Sequence, residues 1–406
     1  MTAARPLFAG AFALLLAGVW ACVHPRGDAG EAVRIAHAVP IVDTHIDLPY
    51  RLYRKPEDIS RRTPSGDFDY VRAREGGLDA AFMSIYVPAR YQESGGARRL
   101  ADELIDIVEG IAAQHPDKFA LAASAEDVER NFRQGRFSLL LGMENGAGIE
   151  GDIGNLTHFY ERGIRYITLA HSRNNLIADS SYDEQPRWHG LSPFGEEVVR
   201  EMNRLGILID VSHLTDDAAR RVLEISRAPV IASHSSCRRF TPGWQRNLSD
   251  ELIRGIARSG GVVQINFGSS FLDDGIRRRQ ESLRKALEAW RVERGLSRDD
   301  PEFREHAAAY RKAHHPGYAD VADVADHIDH VVSLVGVDHV GFGSDFDGVG
   351  DSLPRGLEDV SRYPNLIRVL LERGYGEDEI RKIAGGNILR VMRRAAEVAR
   401  DLQQSQ

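Results

Sequence analysis

An α/β fold, a parallel (β/α)8 TIM barrel, is what the sequence predicts, and two observations lead there. From residue 36 onward, short runs rich in β-branched residues alternate with longer segments of helical periodicity, and the short runs number eight. Runs such as Leu139-Leu140-Leu141 and Ile207-Leu208-Ile209 are continuously apolar, as strands covered on both faces require. The 406-residue length suits one barrel with insertions, and 42% hydrophobic with 28% charged residues is the composition of a globular chain able to fill a sizeable core. The net charge of -8 comes without any Lys/Arg-rich block, which excludes nucleic acid as the expected partner.

The chain opens on a segment that stands apart from the fold. Arg5 precedes an apolar run from Leu7 to Trp20, followed by Ala21, Cys22 and the charged stretch His24–Glu31. The run is too short for a comfortable transmembrane helix and reads as an export signal over 1–22. Val19-Trp20-Ala21-Cys22 also resembles a bacterial lipobox, whose cysteine becomes a lipid anchor in the membrane; Trp20 is unusual there, so plain cleavage near Ala21 stays open. The expected location is the bacterial cell envelope, periplasmic or lipid-anchored, or the medium. Cys237, the other cysteine, then lacks a partner and reads as a small buried hydrophobe.

The catalytic barrel is expected over 36–400. Its strands are predicted at Ile41–Asp47, Ala81–Val87, Ser138–Glu144, Tyr166–His171, Ile207–His213, Val230–His234, Val262–Phe267 and Val340–Asp345. Helices are predicted at Arg98–Gln114, Phe194–Leu205, Asp216–Ile225 and Asp250–Ser259, with Thr215 and Ser249 placed to cap the last two. One long interruption, roughly Phe271 to His330, is rich in Arg, Glu and Ala and reads as a helical insertion between strands seven and eight. It either covers the site or forms a solvated surface. Asn387, after Gly385-Gly386, reads as a helix cap. A homodimer is admitted but not required.

Chemistry enters at the strand ends, where barrel enzymes carry it. Strand one ends Asp43-Thr44-His45-Ile46-Asp47; residues two apart face one side, so His45 and Asp47 can share an ion. Strand three ends in Glu144, strand four in His171, strand five in His213, strand six in His234 and strand eight in Asp345. Zinc accepts imidazole and carboxylate ligands, and one carboxylate can serve two cations. Five such groups, His45, Asp47, Glu144, His213 and His234, make a two-zinc site; each alone is a weak signal. Burying them all without metal would cost several kcal/mol each.

The motifs VDTHIDLP (42–49), GMENG (142–146), LAHSRNN (169–175), DVSHL (210–214), SHSS (233–236), QRNLSD (245–250), VGFGSDFDG (340–348) and GGNILRV (385–391) run through the chain. With them the sequence resembles the membrane dipeptidase (renal dipeptidase) family, binuclear zinc peptidases of the metal-dependent amidohydrolase superfamily. The resemblance implies a zinc dipeptidase acting on dipeptides with a free C-terminal carboxylate and tolerating a D-residue at that end. It implies His45 and Asp47 on one zinc, His213 and His234 on the other, and Glu144 between them. His171 would contact the carbonyl side of the substrate, Arg246 its terminal carboxylate, and Asp345 the proton of the attacking water. Strand one carries H-x-D, not the H-x-H of much of the superfamily, and strand four ends in His171 with no modified lysine. Where the family can carry a tyrosine after strand seven, Phe271 stands without a hydroxyl. The competing readings are another amidohydrolase, a lactonase or deacetylase, and a non-catalytic envelope protein binding metal or peptide. Arg246 discriminates, since a carboxylate clamp is needless for a neutral lactone.

Overall fold

A computed structural model describes residues 28–405 and the first two residues. The expected leader and Cys22 lie outside the described residues. Among the described residues no helix is long and apolar enough to cross a membrane.

Nine strands form among them: β1 (Ile41–Ile46), β2 (Leu78–Tyr86), β3 (Phe119–Leu121), β4 (Phe137–Glu144), β5 (Ile164–Thr168), β6 (Leu208–Asp210), β7 (Val230–Ala232), β8 (Val262–Ile265) and β9 (Val340–Phe342). They run in the order β2-β1-β9-β8-β7-β6-β5-β4-β3, and a further pairing of β2 with β4 closes an eight-stranded parallel barrel. The ninth, β3, is absent from the sequence reading. It pairs with Phe137–Leu139 of β4, ahead of Leu141–Glu144, which pair with β5. Three residues are too few for a periodic signal.

Seven of the eight predicted strands stop short of their predicted ends, five of them by two or three residues, and this moves the functional residues. His171, His213, His234 and Asp345 stand on loops two or three residues beyond the last paired residue, and Asp47 immediately precedes the helix Leu48–Arg54 without a capping hydrogen bond from its side chain. Pairing ends at the rim because the chain must turn. His213 (φ 70°) and Asp345 (φ 66°) take left-handed backbone there, as does Asp347 (φ 65°). A non-glycine residue in that region costs energy, and such residues concentrate at functional sites.

The barrel interior is filled by Val42, Phe82, Leu140, Tyr166, Leu208 and Ile231. Its lower end is plugged by Ile388, Met392 and Ala395 of the C-terminal helix Asn387–Gln404. Asn387 is not the cap that its sequence context suggested. Its amide donates to the carbonyls of Val337 and Val340, 2.8 Å each, and so ties that helix to the start of β9. The caps Thr215 and Ser249 do form, accepting from Ala218 N and Leu252 N at 3.3 Å. Cys237 is buried.

The insertion is helical as predicted. Helices Asp274–Glu293 and Pro301–Ala313 build a hairpin with its own small core of Leu287, Phe303 and Ala307. Its first turn, Ser269–Leu272, is buried and carries Phe271 to the site. Both readings of the segment therefore hold for different parts of it.

Gly142 of β4 faces the Tyr166 ring so closely that any Cβ would collide with it. Gly142→Ala should push Tyr166 aside and cost ~1–3 kcal/mol, the usual penalty of overpacking. Chemical denaturation measures it, and an unchanged midpoint would contradict the close approach.

Candidate metal centre

Glu144 ends β4 and is the hub of the upper rim. Its Oε1 lies 3.1 Å from His213 Nε2, 3.3 Å from His171 Nε2 and 3.4 Å from His234 Nε2. Its Oε2 lies 3.5 Å from His45 Nε2 and accepts from Ser84 Oγ at 3.2 Å. Asp47 Oδ2 stands 3.6 Å from His45 Nε2. Three groups of side chains each bring ligand atoms within 4.8 Å of one another: His45, Glu144 and His234; Glu144, His171 and His213; His45, Asp47 and Asp345. All seven residues that the sequence nominated at strand ends thus converge.

Two of the four imidazoles, His45 and His234, are aimed from behind. His45 Nδ1 is 2.8 Å from the Tyr166 hydroxyl, which donates to Thr44 O, so Nε2 turns inward. His234 Nδ1 is 2.7 Å from Ser233 Oγ, which donates to Asp210 Oδ2 at 2.6 Å. Asp210 also accepts from the Ser212 and Ser233 amides and from Thr168. Asp43 accepts from His45 N at 2.9 Å and Ser344 N at 3.1 Å, and from the Tyr363 hydroxyl, so it pins β1 to the loop carrying Asp345. Asp345 Oδ2 accepts from Asn266 Nδ2 at 2.7 Å. Gly348 lies against the Asp47 and Asp345 carboxylates where no side chain could fit.

The electrostatics suit cation binding. Burial and Arg246 push His213 well down, and burial, His45 and Arg246 do the same to His234. Both shifts favour the neutral ring, whose lone pair a metal ion needs. Burial would lower His45, but Tyr166, Glu144 and Asp47 outweigh it and hold that ring well above its ordinary value. Burial alone would raise Glu144; His171, His45, His213 and His234 instead keep it well below the usual carboxylate range. Burial, with Asp47 and Glu144 nearby, lifts Asp345 well above that range. His45 Nε2 is buried, faces two carboxylates and has no hydrogen-bond partner among the described residues. A donor set of imidazoles and carboxylates with an orphaned inward nitrogen fits a metal ion.

Arg246 is buried, 1% exposed. It donates to Ser235 Oγ at 2.7 Å, to His234 O at 2.8 Å and toward His213 Nε2 at 3.1 Å, while Nε has no partner among the described residues. Phe271 stacks on its guanidinium, centroid to Cζ 5.0 Å. Phe271 therefore holds Arg246 from the side. The sequence reading missed Tyr166, Asn266, Ser84, Asp210 and Tyr182. Tyr166 and Ser84 sit inside apolar strands where one polar group reads as packing. Asp210 carried a visible signal, an aspartate at a strand end two residues before another polar group.

The model of the membrane dipeptidase family, peptidase family M19, matches residues 29–406. This chain belongs to that family. Among curated relatives, it is 35% identical to dipeptidase tcpJ of Claviceps purpurea over 342 residues, 82% of this chain and 71% of that protein. It is 38% identical to dipeptidase aclJ of Aspergillus oryzae over 344 residues, 83% of this chain and 72% of that one. Among solved structures, the probable dipeptidase PvdM of Pseudomonas aeruginosa superposes with a TM-score of 0.78 at 28% identity, covering 91% of this chain and 99% of the other. A metallopeptidase of Rhodobacter sphaeroides, liganded with a phosphinate mimic of L-Ala-D-Ala, gives 0.72 at 26%, covering 88% and 99%. A member of the membrane dipeptidase family with this barrel is a metal-dependent peptide hydrolase.

The Asp210–Ser233–His234 chain should matter to the metal as much as the ligands do. Ser233→Ala should weaken metal binding by about 10- to 100-fold, the usual effect of losing an outer partner. Competition with a chelating dye reads it, and an unchanged affinity would show that His234 needs no orientation from Ser233.

Proposed function

We propose that this chain is a zinc dipeptidase with two zinc ions, acting on dipeptides and tolerant of a D-residue at the C-terminal position. The observation that carries the dipeptide reading is Arg246: a buried guanidinium with an unpartnered Nε, beside the imidazoles that crowd Glu144. Ser235 Oγ and His234 O take one N–H from each terminal nitrogen, and the Nε–H has no partner among the described residues. The Nη2–H that faces His213 Nε2 would be released once that nitrogen held a metal, so that Nε and Nη2 together could meet the two oxygens of a carboxylate. A clamp that close to the centre limits the substrate to about one residue beyond the scissile bond. A neutral lactone has no use for it.

His45, Asp47 and Glu144 would hold one ion, and Glu144, His213 and His234 the other. When bound, the pair supplies an activated water and polarises the scissile carbonyl. His171 is the most exposed of the four imidazoles, at 18% against 6% or less, so it reaches the mouth and is assigned to the substrate carbonyl. It donates a hydrogen bond where oxyanion charge develops. Asp345 is held through Oδ2 by Asn266, which leaves Oδ1 to take the water proton and pass it to the leaving amine. Arg246 fixes the carboxylate and so orients the peptide bond. Inverting the C-terminal Cα exchanges a side chain and a hydrogen while the carboxylate stays on Arg246, so the cost is packing alone. The Rhodobacter sphaeroides relative is named for a ligand of this stereochemistry. Export to a cell envelope, with Cys22 as the lipid site, belongs to the same reading and rests on the sequence alone.

The test is kcat/KM of the zinc-loaded protein on L-Ala-L-Ala, L-Ala-D-Ala and D-Ala-L-Ala. The first two should fall within about a thousandfold of each other, and the third should be the poorest. Arg246→Ala should raise KM by roughly 10- to 100-fold while zinc content stays near two per chain. No hydrolysis of any of the three, or an unchanged KM in the variant, would overturn the assignment.

A further inference from the structure

Three aromatic rings from three separate loops stand around Arg246. Tyr182 comes from the loop after β5, Trp244 from the loop after β7 and Phe271 from the turn after β8. Trp244 lies 5.1 Å from Phe271 and 6.4 Å from Tyr182, centroid to centroid, and Tyr182 lies 5.7 Å from His213. With Phe271 stacked on the guanidinium, the rings form one continuous wall. Tyr182 is 43% exposed and Trp244 half-buried, so the wall presents apolar surface at the mouth.

The tyrosine is held in place although its loop has neither helix nor strand. The Ser181 amide donates to His213 O at 2.8 Å. A few residues on, the Asp179 carboxylate accepts from the amides of Arg187, Trp188 and Gly190. A preset ring gives up little freedom when a ligand covers it. Trp244 also meets Arg277, 5.8 Å from its ring, which pairs with Asp274 at 2.7 Å.

Resting on the dipeptidase reading, we infer that Tyr182, Trp244 and Phe271 form the subsite for the C-terminal side chain, and that it selects large apolar or aromatic residues. Two carbon–carbon bonds of ~1.5 Å separate a carboxylate carbon from its residue's Cβ. A carboxylate on Arg246 therefore starts its side chain beside the guanidinium. One side of that group is closed by Ser235 Oγ and His234 O, which Arg246 already engages, and the other is the aromatic wall. An aliphatic or aromatic group placed there covers ring surface that water otherwise wets.

The experiment compares kcat/KM for L-Ala-L-Phe, L-Ala-L-Leu, L-Ala-Gly and L-Ala-L-Asp in the zinc-loaded wild type, Tyr182→Ala, Trp244→Ala and Tyr182→Phe. The wild type should favour Phe and Leu over Gly and Asp by about tenfold or more. That ratio should collapse to within about threefold in Tyr182→Ala and Trp244→Ala and survive in Tyr182→Phe, which keeps the ring. Hydrolysis of all four substrates at similar rates by the wild type overturns the subsite and leaves the dipeptidase reading standing. A wild-type preference that both alanine variants retain also overturns it. No hydrolysis of any dipeptide overturns the functional reading, and the subsite with it.

Discussion

A carboxylate buried at the end of a barrel strand governs this structure. Glu144 is 4% exposed, and a charge there is tolerable only if positive charge or well-placed donors surround it. Four imidazoles crowd it from four other loops and strand ends, at 3.1 to 3.5 Å, and with the His213 and His234 rings pushed toward the neutral form the matching positive charge falls to a cation held among them. Much of the upper rim follows from that requirement. Tyr166 crosses the barrel interior to fix His45, Ser233 and Asp210 fix His234, and Asp43 holds the Asp345 loop beside β1. Gly142 leaves room for the Tyr166 ring, and Gly348 leaves room for two carboxylates. Left-handed backbone at His213 and Asp345 is strain kept in place by this network.

The eightfold alternation was legible because each parallel strand is apolar on both faces and each helix carries its own period. Residues that act through chemical type at a strand end were legible too: His45, Asp47, Glu144, His213, His234 and Asp345 stand out against apolar neighbours. Less legible was where pairing stops. A run such as Ile207–His213 reads as one strand, yet β6 keeps only Leu208–Asp210, because the remainder turns to bring the imidazole over the barrel mouth. Residues acting through another residue were hidden for a different reason. Tyr166 in a strand, or Asn266 behind Asp345, has the composition of ordinary packing, and only the distance to its partner reveals it. Tyr182 lies in a loop whose shape comes from hydrogen bonds to Asp179 and has no periodic signature.

Phe271 shows how a departure from a motif is absorbed. Without a hydroxyl it cannot touch a ligand by hydrogen bond. It stacks on the Arg246 guanidinium instead, with Cζ 5.0 Å from the ring centroid. The hairpin that follows keeps its own small core.

The central claim is that a metal ion stabilises the buried charge cluster around Glu144. Calorimetric melting of the zinc-loaded protein, before and after chelation, tests it most directly in the wild type and in Glu144→Gln. Ligand held at about a hundred times its Kd stabilises by about 2.7 kcal/mol. Chelation should therefore lower the wild-type Tm by about 3 °C or more, and the loss should largely vanish in Glu144→Gln. A wild-type Tm indifferent to chelation, with zinc shown to have been removed, would contradict the account.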